Sequence, residues 1–224
     1  MAIILNIDTA INTASICLAR DGDPVYTDFN NQKDQAAWLH QAVKAALGKT
    51  GIALPDLEAL AVSIGPGSYT GLRIGLAAAK GMCYALKIPL ITINTLQMMA
   101  SSIIGEQAEF FCPLIDARRM EVFMAVYDKK MNVIMEPCAR VIDRNDFESL
   151  ANAGKTVFTG NGTGKLRMIF DHPNAVFIEG NAGAPEMAGM AEKKFTGNQF
   201  ADVVYAEPFY IKEFYSAGNI TKQY

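Results

Sequence analysis

Histidine is almost missing from this chain: only His40 and His172 occur in 224 residues. They are too few and too far apart in sequence for an obvious metal cage. One falls in a helical stretch and the other beside a proline, so neither a Ser-His-Asp nor a Cys-His constellation can be assembled. Cys17, Cys83, Cys112 and Cys138 form no C-x-x-C pair and lie in apolar stretches. That usage reads as structural thiols in a reducing compartment. A long uninterrupted apolar run is lacking too. The segment after Met1 is short and has no basic flank, and Ile74–Ala85 carries Lys80. Neither a signal peptide nor a membrane span is expected, and the reading is a cytoplasmic protein. Nor is there an excess of positive charge, since 20 Lys and Arg face 23 Asp and Glu. A protein that grips nucleic acid by itself usually shows a basic face. These absences leave an expectation of no catalytic residue, no metal and no cofactor.

What is present is core material. Half of the residues are hydrophobic and 19% are charged, enough for one large domain or two small ones. Apolar patterning and turn residues predict strands near 2–8, 13–20 and 24–29, the last two separated by Asp21-Gly22-Asp23-Pro24. A helix follows near 33–48, where Ala36, Leu39, Val43 and Leu47 share a stripe. A strand near 57–64, a helix near 70–87, a strand near 89–93 and a helix near 94–104 complete the first half. The second half repeats the order: strands near 109–116, 120–128 and 132–142, a helix near 145–152, a strand near 156–160, a helix near 163–170, a strand near 174–178 and a helix near 184–195. Each half reads βββαβαβα. Each first strand ends in Ile-Asp (Ile7-Asp8 and Ile115-Asp116), and each later strand runs into a Gly-rich loop (Gly65-Pro66-Gly67 and Gly160-Asn161-Gly162). The expectation is an α/β chain with a duplicated ribonuclease-H-like fold in two lobes, 1–105 and 106–204. A tail, 205–224, is expected to pack back on the body.

The stretch Gly65-Pro66-Gly67-Ser68-Tyr69-Thr70-Gly71-Leu72-Arg73-Ile74-Gly75 carries the most information. A strand ends, a Gly-rich turn follows and a helix begins near Thr70. Free N–H groups of Gly65, Gly67, Ser68 and Thr70 could meet an anion, with Asp8 at the end of the first strand nearby. The alternative is a tight turn with Thr70 as N-cap. The helix then shows two seams. Leu72, Leu76, Ala79, Cys83 and Leu86 form an apolar one. Gly71, Gly75, Ala78, Met82 and Ala85 form a smooth one that could pack inside the chain or, with Trp38 and Ala42, against another subunit. Arg118 and Arg119, adjacent in a short connection, could hold a carboxylate or phosphate, or pin Glu121 or a loop carbonyl. Gly160–Leu166 departs from a P-loop, because Thr159 and Leu166 stand where Gly and Ser/Thr are required.

Ile4–Thr9, the 65–75 stretch, Ala79-Lys80-Gly81 and Ile115–Val122 together resemble the TsaB (YeaZ) family, which a peptidase M22-like label once covered. Pro208-Phe209-Tyr210-Ile211-Lys212 resembles that family's Pro-x-Tyr-x-Arg ending. The resemblance implies the actin-like ATPase and sugar-kinase superfamily fold. It implies a non-catalytic partner of a TsaD-like subunit, which transfers threonylcarbamoyl to adenosine beside the anticodon of tRNA. A TsaE-like ATPase would be a further partner, tRNA would be met only through the complex, and a homodimer could form when the chain is alone. TsaD-like proteins carry metal-binding histidines in an Asn-His-x-x-x-His run; Thr95 and Met99 stand there in this sequence. Neither suits a hard metal. The alternative is a self-sufficient small-molecule kinase using Asp8 and the 65–71 loop; a metallopeptidase is disfavoured by the missing histidines.

Overall fold

The computed structural model describes residues 2–31, 34–180 and 182–212. Strands β1 (Ile3–Asp8), β2 (Ala14–Arg20) and β3 (Asp23–Asn30) form an antiparallel meander. Its second turn is closed by Asp21 and Gly22, both at positive φ, the geometry that Asp-Gly supplies cheaply in a tight hairpin. Then come α1 (Gln35–Thr50), a single 3-10 turn, β4 (Ala59–Gly65), α2 (Tyr69–Leu86), β5 (Leu90–Asn94) and α3 (Thr95–Ser101). The second half supplies β6 (Phe110–Asp116), β7 (Glu121–Asp128), β8 (Val133–Val141), α4 (Arg144–Ala153), β9 (Thr156–Thr159), α5 (Thr163–Arg167), β10 (Ala175–Ile178) and α6 (Ala184–Thr196).

The first sheet runs β3-β2-β1-β4-β5, and the second, read from its other edge, runs β8-β7-β6-β9-β10. The order repeats strand for strand, with β4 parallel to β1 and β9 parallel to β6. The fold is therefore a duplicated ribonuclease-H-like one, with the α/β, actin-like arrangement expected from the sequence. Strand alternation sorts the core. Leu5, Ile7, Ile16 and Leu18 face Leu39, Val43, Leu76 and Ala79 of α1 and α2. On the opposite face, Ile4, Cys17, Ala19 and Ile93 share a core with α3, α6 and Phe111, Ala125 and Tyr127 of the second sheet. Beyond the second sheet, Leu114, Met124 and Phe158 pack with Phe147 and Ala151 of α4.

The central layer exchanges helices between the halves. Helix α6 lies against β1 and β2 of the first sheet, whereas α3 lies against β6 of the second. Met187 and Ala188 of α6 and Met98 and Met99 of α3 belong to one continuous core. The described part of the tail runs over α2. Lys80 Nζ donates to the carbonyls of Val204 (3.1 Å) and Ala206 (2.9 Å), and Phe209 N–H donates to Ile64 O (2.7 Å). The expected packing of 213–224 lies outside the described residues.

Candidate functional site

The Gly-rich connection between β4 and α2 is built around the turn that follows β1. Ser68 caps α2, its hydroxyl accepting Gly71 N–H at 3.2 Å. The cap is thus Ser68, and Thr70 lies exposed as the second residue of the helix; the hydroxyl had to sit before the first helical residue to reach its third N–H. Ser68 N–H donates to Ala10 O (2.6 Å) and Gly65 N–H to Thr95 Oγ1 (3.1 Å). Two of the four N–H groups offered to an anion by the sequence, those of Gly65 and Ser68, are thereby satisfied inside the chain. Gly65, at φ +120°, also leaves no room for a side chain against the Phe209 carbonyl, and Gly67 presses on that of Ala10.

Asp8 is fully buried beside this loop. One carboxylate oxygen accepts from the Ser63 hydroxyl and from Ala10 N–H (3.0 Å), and the other has no hydrogen-bond partner among the described residues. Burial pushes its pKa up from 3.8 to about 6; the Ser63 and Ala10 donors work against that rise and the Glu186 charge adds to it. A carboxylate closed over in this way presents no face to metal or phosphate. Thr95 and Met99 are engaged elsewhere. Thr95 holds Gly65, and Met99 sits in the central core with its methyl against Gly160.

The smooth seam of α2 divides in two. Gly71 and Gly75 are buried, and a methyl at either would run into the carbonyl or hydroxyl of Thr9. Thr9 Oγ1 also donates to Gly71 O at 2.7 Å. Ala42 lies in the core between α1 and the sheet. These three expected interface residues serve internal packing, because helical rotation turns them towards β1 and β2. The rest of the seam is less enclosed: Ala78, Met82 and Trp38 are half-buried against the edge of the first core, and Ala77, Gly81 and Ala85 are exposed. Tyr84, 80% exposed, stands beside them.

Arg118 and Arg119 occupy the tip of the β6–β7 hairpin. Ala117 N–H donates to Glu121 O and Glu121 N–H to Arg118 O, each at 3.1 Å, while Asp116 Oδ1 accepts Arg118 N–H at 2.6 Å. Glu121 pairs with Lys212 and Asp116 with Lys165 (2.6 Å), so the arginines do not pin Glu121. Burial works against the Asp116 charge, but the Lys165 and Arg118 donors hold its pKa below the ordinary carboxylate value. Both guanidinium groups are exposed, with no hydrogen-bond or ion-pair partner among the described residues.

A cleft of about 570 Å³ opens between the lobes, lined among others by Asn12, Thr13, Asn161, Thr163, Arg167 and Glu179. The run that fails as a P-loop forms one wall. Its Lys165 turns away to Asp116, and Arg167 donates to Phe177 O (3.1 Å) and lies 3.8 Å from Glu179. Sequence reasoning missed Thr9 as an organiser of the Gly-rich loop, and Lys80 and Tyr210 as organisers of the tail over α2. A polar residue directly after Asp8 and a lysine inside an apolar helix were the available signals.

A family model described as TsaD, tRNA N6-adenosine threonylcarbamoyltransferase, matches residues 30–185. The tRNA threonylcarbamoyladenosine biosynthesis protein TsaB of Escherichia coli (strain K12) is 30% identical over 218 residues, covering 93% of this chain and 94% of that protein. The protein of the same description in Bacillus subtilis (strain 168) is 32% identical over 75% of each chain. A crystal structure of a protein with similarity to peptidase YEAZ from Pseudomonas aeruginosa superimposes with a TM-score of 0.82. It shares 25% identity and covers 95% of this chain and all of that one.

Proposed function

The chain belongs to the TsaB (YeaZ) family of tRNA threonylcarbamoyladenosine biosynthesis proteins, and from that premise we propose that it is a non-catalytic subunit supporting a TsaD-like transferase. The observation that carries this reading is the outward seam of α2. Ala77, Ala78, Gly81 and Ala85 leave a smooth surface on a rigid helix next to α1, with Tyr84 almost bare. Small residues let a second helix approach closely. A matching pair from a related fold would complete a four-helix interface of roughly 800 Å² per partner. The same face would pair two copies of this chain in the partner's absence. A TsaE-like ATPase would join the assembly through either subunit.

The interior supports the non-catalytic half of the proposal. Asp8 is enclosed, the N–H groups of Gly65, Ser68 and Gly71 are spoken for, and Thr95 and Met99 have packing duties. Transfer chemistry, and any metal it needs, then belongs to the TsaD-like subunit. This chain would hold that subunit's helices in their working arrangement.

Sedimentation velocity of the chain mixed with the TsaD-like subunit from the same organism tests the partnership. A single heterodimer boundary is expected. Ala77→Trp and Ala85→Arg, both at exposed positions, should weaken association at least about tenfold, or about 1.4 kcal/mol, with melting temperatures unchanged. Wild-type association by both variants would move the interface off this face.

A further inference from the structure

The tail and the β6–β7 hairpin bring together cations that lie far apart in the sequence. Arg73, exposed on α2, packs its guanidinium 3.9 Å from the centre of the Tyr69 ring and donates to the Tyr210 hydroxyl at 3.1 Å. Tyr210 stacks on Tyr69, with ring centres 5.1 Å apart. Two residues on, Lys212 pairs with Glu121, whose N–H bonds Arg118 O at the hairpin tip. A chain of contacts thus runs from Arg73 through Tyr210 and Lys212 to Arg118 and Arg119. It crosses from one lobe to the other. The carboxylates of Asp116 and Glu121 at its centre are each taken by a lysine, which leaves both hairpin guanidinium groups uncompensated.

The hairpin has an additional feature. Arg118 and Arg119 both hold positive φ, +68° and +47°. Left-handed backbone is unfavourable for residues with a Cβ, and tight turns normally assign it to Gly, Asn or Asp. Two consecutive arginines there are a local cost that the turn does not require. Such costs persist where a side chain is needed for something else. Guanidinium groups match phosphate oxygens in a planar, two-pronged manner.

We propose that the Arg118–Arg119 hairpin, continued by Lys212 and the Arg73–Tyr69–Tyr210 stack, is a contact surface for the phosphate backbone of the tRNA. The proposal rests on the partner-subunit reading and adds a direct RNA contact to it. Two adjacent guanidinium groups whose neighbouring carboxylates are already taken by lysines suit the closely spaced phosphates of RNA, and the Tyr69–Tyr210 stack serves to hold the tail and Lys212 beside them. The surface is modest, in keeping with a net charge of −3, and works as a second contact beside a partner that supplies most of the affinity.

The test is fluorescence anisotropy of a labelled, unmodified tRNA transcript with adenosine beside its anticodon. It is titrated with the heterodimer and with the chain alone, between about 50 and about 200 mM KCl. Arg118→Ala/Arg119→Ala should weaken tRNA binding several-fold and lower the salt slope of log K by about 2, about one per lost phosphate contact. Association with the TsaD-like subunit, followed by sedimentation, should not change. Arg119→Gly should bind tRNA less well yet melt at a higher temperature, which separates lost contact from lost fold. Unchanged affinity and slope in the double variant would overturn the proposal. Retained tRNA binding with loss of the TsaD-like subunit would overturn it in favour of an acidic protein surface. Loss of labelled ATP binding with tRNA unaffected would overturn it in favour of a free nucleotide. Should the wild-type subunits fail to associate, the partnership reading falls, and the chain-alone titration still decides this one.

Discussion

Asp8 shows what a single residue means once its surroundings are known. At the end of a first strand it resembled a metal or phosphate ligand; in the fold it is a carboxylate closed over by Ser63, Ala10 and the start of α6. Its pKa rises from 3.8 to about 6, so the folded chain holds the proton more tightly than the unfolded one. The resulting stability is fully present below pH 3.8 and is lost as pH climbs through about 6. At about 1.4 kcal/mol per pH unit the loss approaches roughly 3 kcal/mol. Melting of the wild type and Asp8→Asn between pH 4 and 7.5 should therefore show the variant gaining on the wild type as pH rises. A pH-independent gap would mean that Asp8 stays charged throughout. Gly75 gives the second residue-scale expectation. A side chain there meets the Thr9 hydroxyl, so Gly75→Leu should destabilise the fold by roughly 1–3 kcal/mol in urea. The sequence showed this glycine on a smooth helical seam, yet periodicity alone could not say that the β1–β2 turn was what came close.

At the scale of elements, most of the fold could be read directly. Period-two and period-3.6 patterns located the strands and helices now seen, because each must bury one face and the apolar residues mark it. The seam of α2 was legible as a stripe but not in its division. Gly71 and Gly75 turn inward and Ala85 outward, with Ala78 half-buried between them, a rotation set by the docking of α2 on β4. The tail is the element that patterning described least, since 201–212 contains no helix or strand beyond a single bridge from Ala201 to Leu90 and is held largely by side chains of α2. Lys80 is its main clamp, donating to two tail carbonyls. Lys80→Met keeps the stem and removes the donor. Faster proteolytic cleavage within 201–212 is expected, with a loss of global stability of about 1–2 kcal/mol. Unchanged cleavage would show that the Tyr69–Tyr210 stack and the Phe209–Ile64 bond suffice to hold the tail.

At the scale of the whole molecule, the duplicated order of elements was written in the sequence, down to the paired Ile-Asp and Gly-rich loops. The exchange of α3 and α6 between the sheets was not. An amphipathic pattern says which face is buried but not which sheet buries it, and these short helices have apolar residues for both. Arg118 and Arg119 stood out in the sequence as a pair able to hold phosphate, but their joining to Arg73 and Lys212 was equally hidden, because it comes only after the tail folds back. A net charge of −3 gave no hint of it. The central claim is that this chain supports threonylcarbamoylation without performing it. The most direct measurement is threonylcarbamoyladenosine formed on tRNA by purified TsaD-like, TsaE-like and adenylate-making proteins of the same organism, with and without the chain. Product should appear only when the chain is present, and the chain without the TsaD-like subunit should make none. Equal product with the chain omitted would contradict the claim, as would product made without the TsaD-like subunit.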